Sequence, residues 1–144
     1  MNDIQLTKHF KLSEFYKNFD KLKVTDELIN DRLFCLSHFL LEPIREYAGC
    51  PIIITSGYRT KLENIKTPGA AASSLHTKGL AADFVLKDNH PLYLEGIYEF
   101  IKEQLPTHFC ELIRYVDAEG KLVRLHVALS THLKPNQYIG EKPA

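Results

Sequence analysis

Two histidines and one aspartate, His76, Asp83 and His126, are the side chains of this 144-residue chain whose types could act together on a metal ion. Catalytic zinc usually takes three protein ligands drawn from imidazole and carboxylate, and leaves a fourth position for water. Bound metal lowers the pKa of such a water towards about 7 and polarises a carbonyl beside it. His76 and Asp83 stand in one short segment, Ser74-Leu75-His76-Thr77-Lys78-Gly79-Leu80-Ala81-Ala82-Asp83. Gly79 between them permits a turn that lets both face one ion. His126 is remote in sequence, and only the fold can bring it to the same point.

Other reactive types read as structural. His9, His38, His90, His108 and His132 lack such a context, and a lone histidine is more often a satisfied structural residue than a ligand. Cys35, Cys50 and Cys110 are odd in number and widely spaced, so they form no CxxC pair and no disulfide framework. Buried free thiols are the expectation for them. Tyr58 reads as a packing aromatic.

The elements that must position these groups follow from periodicity. Ser13 before Glu14 is placed to cap a short helix carrying Phe15 and Tyr16. A main helix begins near Thr25 or Asp26, and Ile29, Leu33, Leu36, Leu40 and Ile44 recur at three- and four-residue steps to give one apolar stripe. Pro43 kinks that helix or ends its regular part, and Gly49 before Pro51 stops it. Ile52-Ile53-Ile54-Thr55 reads as a buried strand. From Gly57 to Gly79 periodicity vanishes, and long loops inside compact domains are usually functional. Ala81 to Leu86 is a strand, and Pro91 opens a second helix carrying Leu94, Ile97, Tyr98 and Ile101.

Two further strands, near Cys110–Val116 and Lys121–Leu129, are joined by Asp117-Ala118-Glu119-Gly120 as a hairpin. Pairing Val116 with Lys121 sets Glu111 directly opposite His126, Ile113 opposite Arg124 and Tyr115 opposite Leu122. Directly opposed side chains share a face and interact. The other face then carries Cys110, Leu112 and Val116 against Val123, Leu125 and Val127, a credible core. A slip of one residue would separate Glu111 from His126.

The segment around His76 resembles the zinc D-Ala-D-Ala peptidases, a family that includes vancomycin-resistance dipeptidases, D,D-carboxypeptidases and phage endolysins that cut L-Ala-D-Glu bonds. Its signature SxHxxGxAxD is matched at Ser74, His76, Gly79, Ala81 and Asp83. Five specified positions arise by chance roughly once in 10^6 starting points. Phe10-Lys11-Leu12-Ser13-Glu14-Phe15 is similar to the N-terminal motif of a phage- and prophage-associated branch. Ile54-Thr55-Ser56-Gly57-Tyr58-Arg59 with Asn64, and Leu125-His126-Val127, are similar to two further segments of the family. The resemblance runs from about Phe10 to Ala128.

That resemblance implies a zinc site of His76, Asp83 and His126, with Zn2+ as cofactor and a peptidoglycan stem peptide as substrate. It implies an α+β fold, helices on a small, mostly antiparallel sheet of the hedgehog or D,D-peptidase type, with the site on the exposed face. Arg59 would hold a substrate carboxylate or the developing oxyanion; its bland alternative is a loop-bracing ion pair. Ser74 would hydrogen-bond substrate, cap the local turn, or both.

The family commonly carries a Glu three residues, or a His two residues, before the last zinc ligand. Here those positions are Val123 and Arg124, neither of which takes a proton. Glu111 is the replacement candidate for proton transfer. Equally, it reads as the carboxylate that accepts the ring N–H of His126 and fixes its tautomer.

Length fits one domain over residues 1–144, and an apolar fraction of 44% is enough for a core. Eighteen basic side chains balance eighteen acidic ones, so there is no electrostatic footprint for nucleic acid or anionic lipid. A polar N-terminus without an apolar run, and no stretch near a membrane span, point to cytoplasmic synthesis, with phage-type release as the route to a cell wall. Oligomeric state is not encoded in any feature of the chain. The expected activity is hydrolysis of a peptidoglycan peptide bond; the alternatives are an impaired zinc-containing binding module and a phage structural component.

Overall fold

In the computed structural model, which describes residues 1–88, 91–132 and 136–144, the chain opens with a one-turn 3-10 helix at Leu12–Glu14. Its cap is Lys11, whose backbone N–H donates to Glu14 Oε1 at 2.8 Å. The expected cap, Ser13, lies inside the turn and donates instead to Asp3. Helix α1 (Glu27–Leu36) starts where a carboxylate can take an orphan amide: Asp26 accepts from the Ile29 N–H at 3.1 Å. Ile29, Leu33 and Leu36 are buried, and the stripe continues through Leu40 and Ile44.

Pro43 acts on this helix as its chemistry requires. It has no N–H for the carbonyl one turn back, and its ring crowds that carbonyl. The chain widens into a π turn at Ser37–Leu41 and resumes as α2 (Glu42–Ala48) with Pro43 in its first turn. Gly49, at φ 66°, then ends it in the left-handed conformation and donates to the Arg45 carbonyl.

Strand β1 (Ile52–Ser56) follows, then the short helix α3 (Lys61–Ile65), a 3-10 turn at Leu75–Lys78, and strand β2 (Ala81–Leu86). Helix α4 (Pro91–Gln104) leads to β3 (Phe109–Val116), β4 (Leu122–Leu129) and β5 (Tyr138–Pro143). The five strands lie in the order β1-β2-β4-β3-β5, antiparallel except for the β3–β5 pair. This is the expected α+β architecture. One sheet face, with Ala82, Phe84, Leu112, Leu125 and Val127, packs on α1 and α4 and forms the core. No described helix is long and apolar enough to cross a membrane.

Five expectations need correction. The β-branched run of β1 is not buried on both faces: it is an edge strand, with Ile52 6% and Ile53 44% exposed. The segment between Gly57 and Gly79 holds two single turns too short to show periodicity, α3 being capped by Thr60 Oγ1 accepting from the Glu63 N–H. Strand β5 was not expected; its residues alternate no apolar face, and it exists through main-chain pairing with β3. The cysteines are free but only half-buried.

The hairpin register is the fifth. Glu111 lies opposite Ala128, Ile113 opposite His126, Tyr115 opposite Arg124 and Val116 opposite Leu122. Asp117 Oδ1 accepts from the N–H groups of both Glu119 and Lys121 at 2.9 Å, which draws Lys121 into the loop. A bulge beside Val116 then adds one more residue of offset. From Glu111 to Tyr115 the total shift from the expected pairing is even, so these side chains keep their face; beyond the bulge Leu122 turns into the core and Val123, expected there, borders the open face.

Candidate metal centre

The open face of the sheet carries one row of directly opposed residues: Ser56, Asp83, His126 and Ile113, on β1, β2, β4 and β3. Register alone therefore sets Asp83 beside His126. His76 reaches the same point from the 3-10 turn. Ser74 Oγ accepts the His76 N–H at 3.3 Å at the start of that turn, and Gly79 ends it at φ 72°. A side chain at Gly79 would be strained in that conformation and would crowd Ile29.

Three ligand atoms, one from each of His76, Asp83 and His126, lie within 4.8 Å of one another. Asp83 Oδ1 is 3.2 Å from His76 Nε2 and 2.8 Å from His126 Nδ1. Ligand pairs around a tetrahedral zinc with bonds of about 2.0–2.1 Å stand about 3.3 Å apart, so the spacing suits such an ion. All three residues are buried, at 3–5% exposure.

Each ring is held from behind. His76 Nδ1 donates to the Gly57 carbonyl at 2.7 Å, and because a carbonyl only accepts, this fixes Nε2 as the nitrogen free to coordinate. His126 Nε2 meets Glu111 Oε1 at 2.8 Å, leaving Nδ1 towards Asp83. Glu111 is thus a diagonal neighbour of His126, not its opposite partner, and its side chain spans the offset. Gly57 was not singled out from the sequence, although it stands in the Ser56-Gly57-Tyr58-Arg59 segment. A Cβ there would meet the Phe15 main chain at 2.7 Å.

Electrostatics follow this packing. Burial raises the Asp83 pKa, but the His126 and His76 rings against it outweigh that and hold the carboxyl well below the usual carboxylate range. The His126 hydrogen bond likewise holds Glu111 below its ordinary value. Burial pushes His126 down, yet Asp83 and Glu111 on either side leave it raised.

Arg59 touches the cluster from one side. Its Nη2 is 3.7 Å from Asp83 Oδ2, its Nε donates to Ser56 Oγ, and its Nη1 donates to Asn64 Oδ1. Buried Asn64 in turn donates to the Ala71 carbonyl at 2.8 Å. These contacts tie the guanidinium to β1, α3 and Asp83. Ser74 caps its turn as expected. Tyr58 packs on Tyr16 with ring centroids 5.3 Å apart.

None of the other described histidines joins the cluster. His9 pairs with Glu42, and His38 stacks on Phe34 and meets Phe39 edge-on. His108 neighbours Thr107, and the His132 main chain closes a turn with Ser130. His90 lies outside the described residues. An open cleft of about 780 Å³ reaches the cluster at Asp83 and is bordered also by Arg59, Tyr16, Tyr58, Val85 and Arg124.

A buried His–Asp–His cluster whose aspartate borders such a cleft could hold one metal ion. A family model described as Peptidase M15 matches residues 8–111, and the chain belongs to this peptidase family. The matched stretch includes Arg59, His76, Asp83 and Glu111 and ends before His126. No curated protein matches the chain.

Proposed function

We propose that this chain is a zinc-dependent hydrolase, built as one peptidase domain, that cuts a peptide bond in bacterial cell-wall peptidoglycan. The observation that carries the reading is the His76–Asp83–His126 cluster with both imidazoles held by hydrogen bonds from behind. Zinc held there supplies Lewis-acid polarisation of the scissile carbonyl and a water of lowered pKa. Everything else falls to the chain's own side chains. Gly57 and Glu111 hold the rings in their coordinating tautomers. Asp83 supplies the negative charge, and Arg59 beside it neutralises the outer oxygen and faces charge that develops on the carbonyl. Ser74 keeps a hydroxyl proton to donate to substrate.

Between the two roles of Glu111, the contact with the rear nitrogen of His126 favours holding the ring. The same contact supports a second reading, a zinc-containing module or phage component that binds peptidoglycan without cutting it, because Val123 and Arg124 supply no proton acceptor. Digestion of purified peptidoglycan with added zinc, with mass analysis of released peptides, tests the first reading and names the bond. Retention on sacculi without released fragments favours the second. A chain that binds no zinc at micromolar levels at neutral pH sinks both. The phage- or prophage-type release of the protein to the wall belongs to the same proposal.

A further inference from the structure

Arg124 is a cationic side chain outside the His76–Asp83–His126 cluster. It lies two residues before His126 on β4, on the same sheet face, about 6.8 Å along the strand. It borders the cleft together with Asp83 and Arg59. Tyr115, its directly opposed partner on β3, lies under the guanidinium at 4.0 Å from ring centroid to Cζ. That stacking holds the planar group by its face and leaves its N–H edge to point along the plane.

No ion pair engages Arg124 among the described residues. Its Nε is buried without a hydrogen-bond partner. Arg59 differs: three of its nitrogens face Ser56, Asn64 and Asp83. Of these two guanidinium groups at the cleft, Arg124 is the one held in place with its donors uncommitted. A buried, unpaired donor is costly unless a ligand completes it.

We propose that Arg124 is the specificity residue of this cleft and grips a peptide carboxylate close to the scissile amide. The inference rests on the metallopeptidase reading and adds the chemistry of the substrate to it. The strand spacing from His126 matches one to two residues of extended peptide, so the carboxylate lies within two residues of the bond presented to the metal. A terminal carboxylate and the α-carboxylate of a γ-linked glutamate share this chemistry.

The test is equilibrium binding, by NMR shift titration at neutral pH, with and without zinc. The ligands are N-acetyl-D-alanyl-D-alanine and N-acetyl-L-alanyl-γ-D-glutamate, each with the free carboxylate and as its amide. Wild-type protein should prefer one free acid over its amide by about ten- to a hundred-fold, the range of a charge-assisted hydrogen bond; which acid it is tells the two sources apart. Arg124→Gln should erase that preference while binding the amide within two-fold, and Arg124→Lys should restore part of it. Unchanged zinc stoichiometry and circular dichroism certify the variants as folded. Equal binding of acid and amide by wild type, or equal weakening of both in Arg124→Gln, overturns the assignment. Absence of zinc binding or hydrolysis counts against the metallopeptidase reading alone, because the carboxylate preference is read separately.

Discussion

Replacing Glu111 separates a side chain that holds a ligand from one that moves a proton. Its Oε1 accepts from His126 Nε2 at 2.8 Å on a half-buried strand position. A hydrogen bond to a charged group contributes about 1.5–3 kcal/mol. Loss of the partner behind a metal-binding histidine typically lowers metal affinity about 10–100-fold, which is about 1.4–2.8 kcal/mol at 1.4 kcal/mol per decade. The two estimates overlap, so Glu111→Ala should raise the zinc Kd towards the upper end of that range. Glu111→Gln keeps a neutral acceptor and should cost about ten-fold. Competition against a fluorescent zinc chelator measures the affinity, and hydrolysis at saturating zinc measures the chemistry. If the ring-holding role is right, both variants regain most of their turnover once zinc is saturating. Wild-type zinc affinity combined with turnover lost at every zinc concentration would refute it and make Glu111 the proton acceptor.

Other outcomes follow from the same geometry. Gly57→Ala drives a Cβ into the Phe15 main chain, so unfolding in urea should show a loss of about 1–3 kcal/mol; zinc affinity should fall with it, since the Gly57 carbonyl anchors His76. Zinc at a hundred times its Kd should stabilise the chain by about 2.7 kcal/mol, raising Tm by about 5–10 °C in differential scanning fluorimetry. Chelator should reverse the shift, and His76→Ala or Asp83→Asn should show none. Glu42 ties the N-terminal segment down, accepting from Thr7 Oγ1 and the His9 N–H and pairing with His9 Nδ1. Burial raises its pKa, but the bonds from His9 and Thr7 hold it below the ordinary value. A lowered folded pKa stabilises fully above the unfolded value of about 4.3 and loses that contribution as pH falls through the folded one. Glu42→Gln should therefore be less stable than wild type at pH 7, with the gap in urea midpoint narrowing towards pH 3.

What short-range spacing encodes was legible. The stripe from Ile29 to Ile44 marks a helix, Asp26 can reach an amide three residues on, and Pro43 disrupts the turn before it whatever surrounds it. His76, Gly79 and Asp83 form a local unit because a left-handed glycine joins a turn to a strand within seven residues. Even the face shared by Glu111 and His126 was readable, since strand side chains alternate with period two and survive any even slip.

The sequence by itself thus determined which residue types could bind a metal, and that Glu111 shares a sheet face with His126. Tertiary structure decided the rest, because main-chain pairing and loop closure act between residues far apart in the chain. Asp117 closing the hairpin loop set the true register and made Glu111 a diagonal partner. Asn64 from the 57–79 segment and Asp83 from β2 meet at the Arg59 guanidinium only in the folded chain. Strand β5 needed the edge of β3 to exist at all. Tyr115 under Arg124 follows from that same register, and no reading of local pattern places a ring beneath that guanidinium.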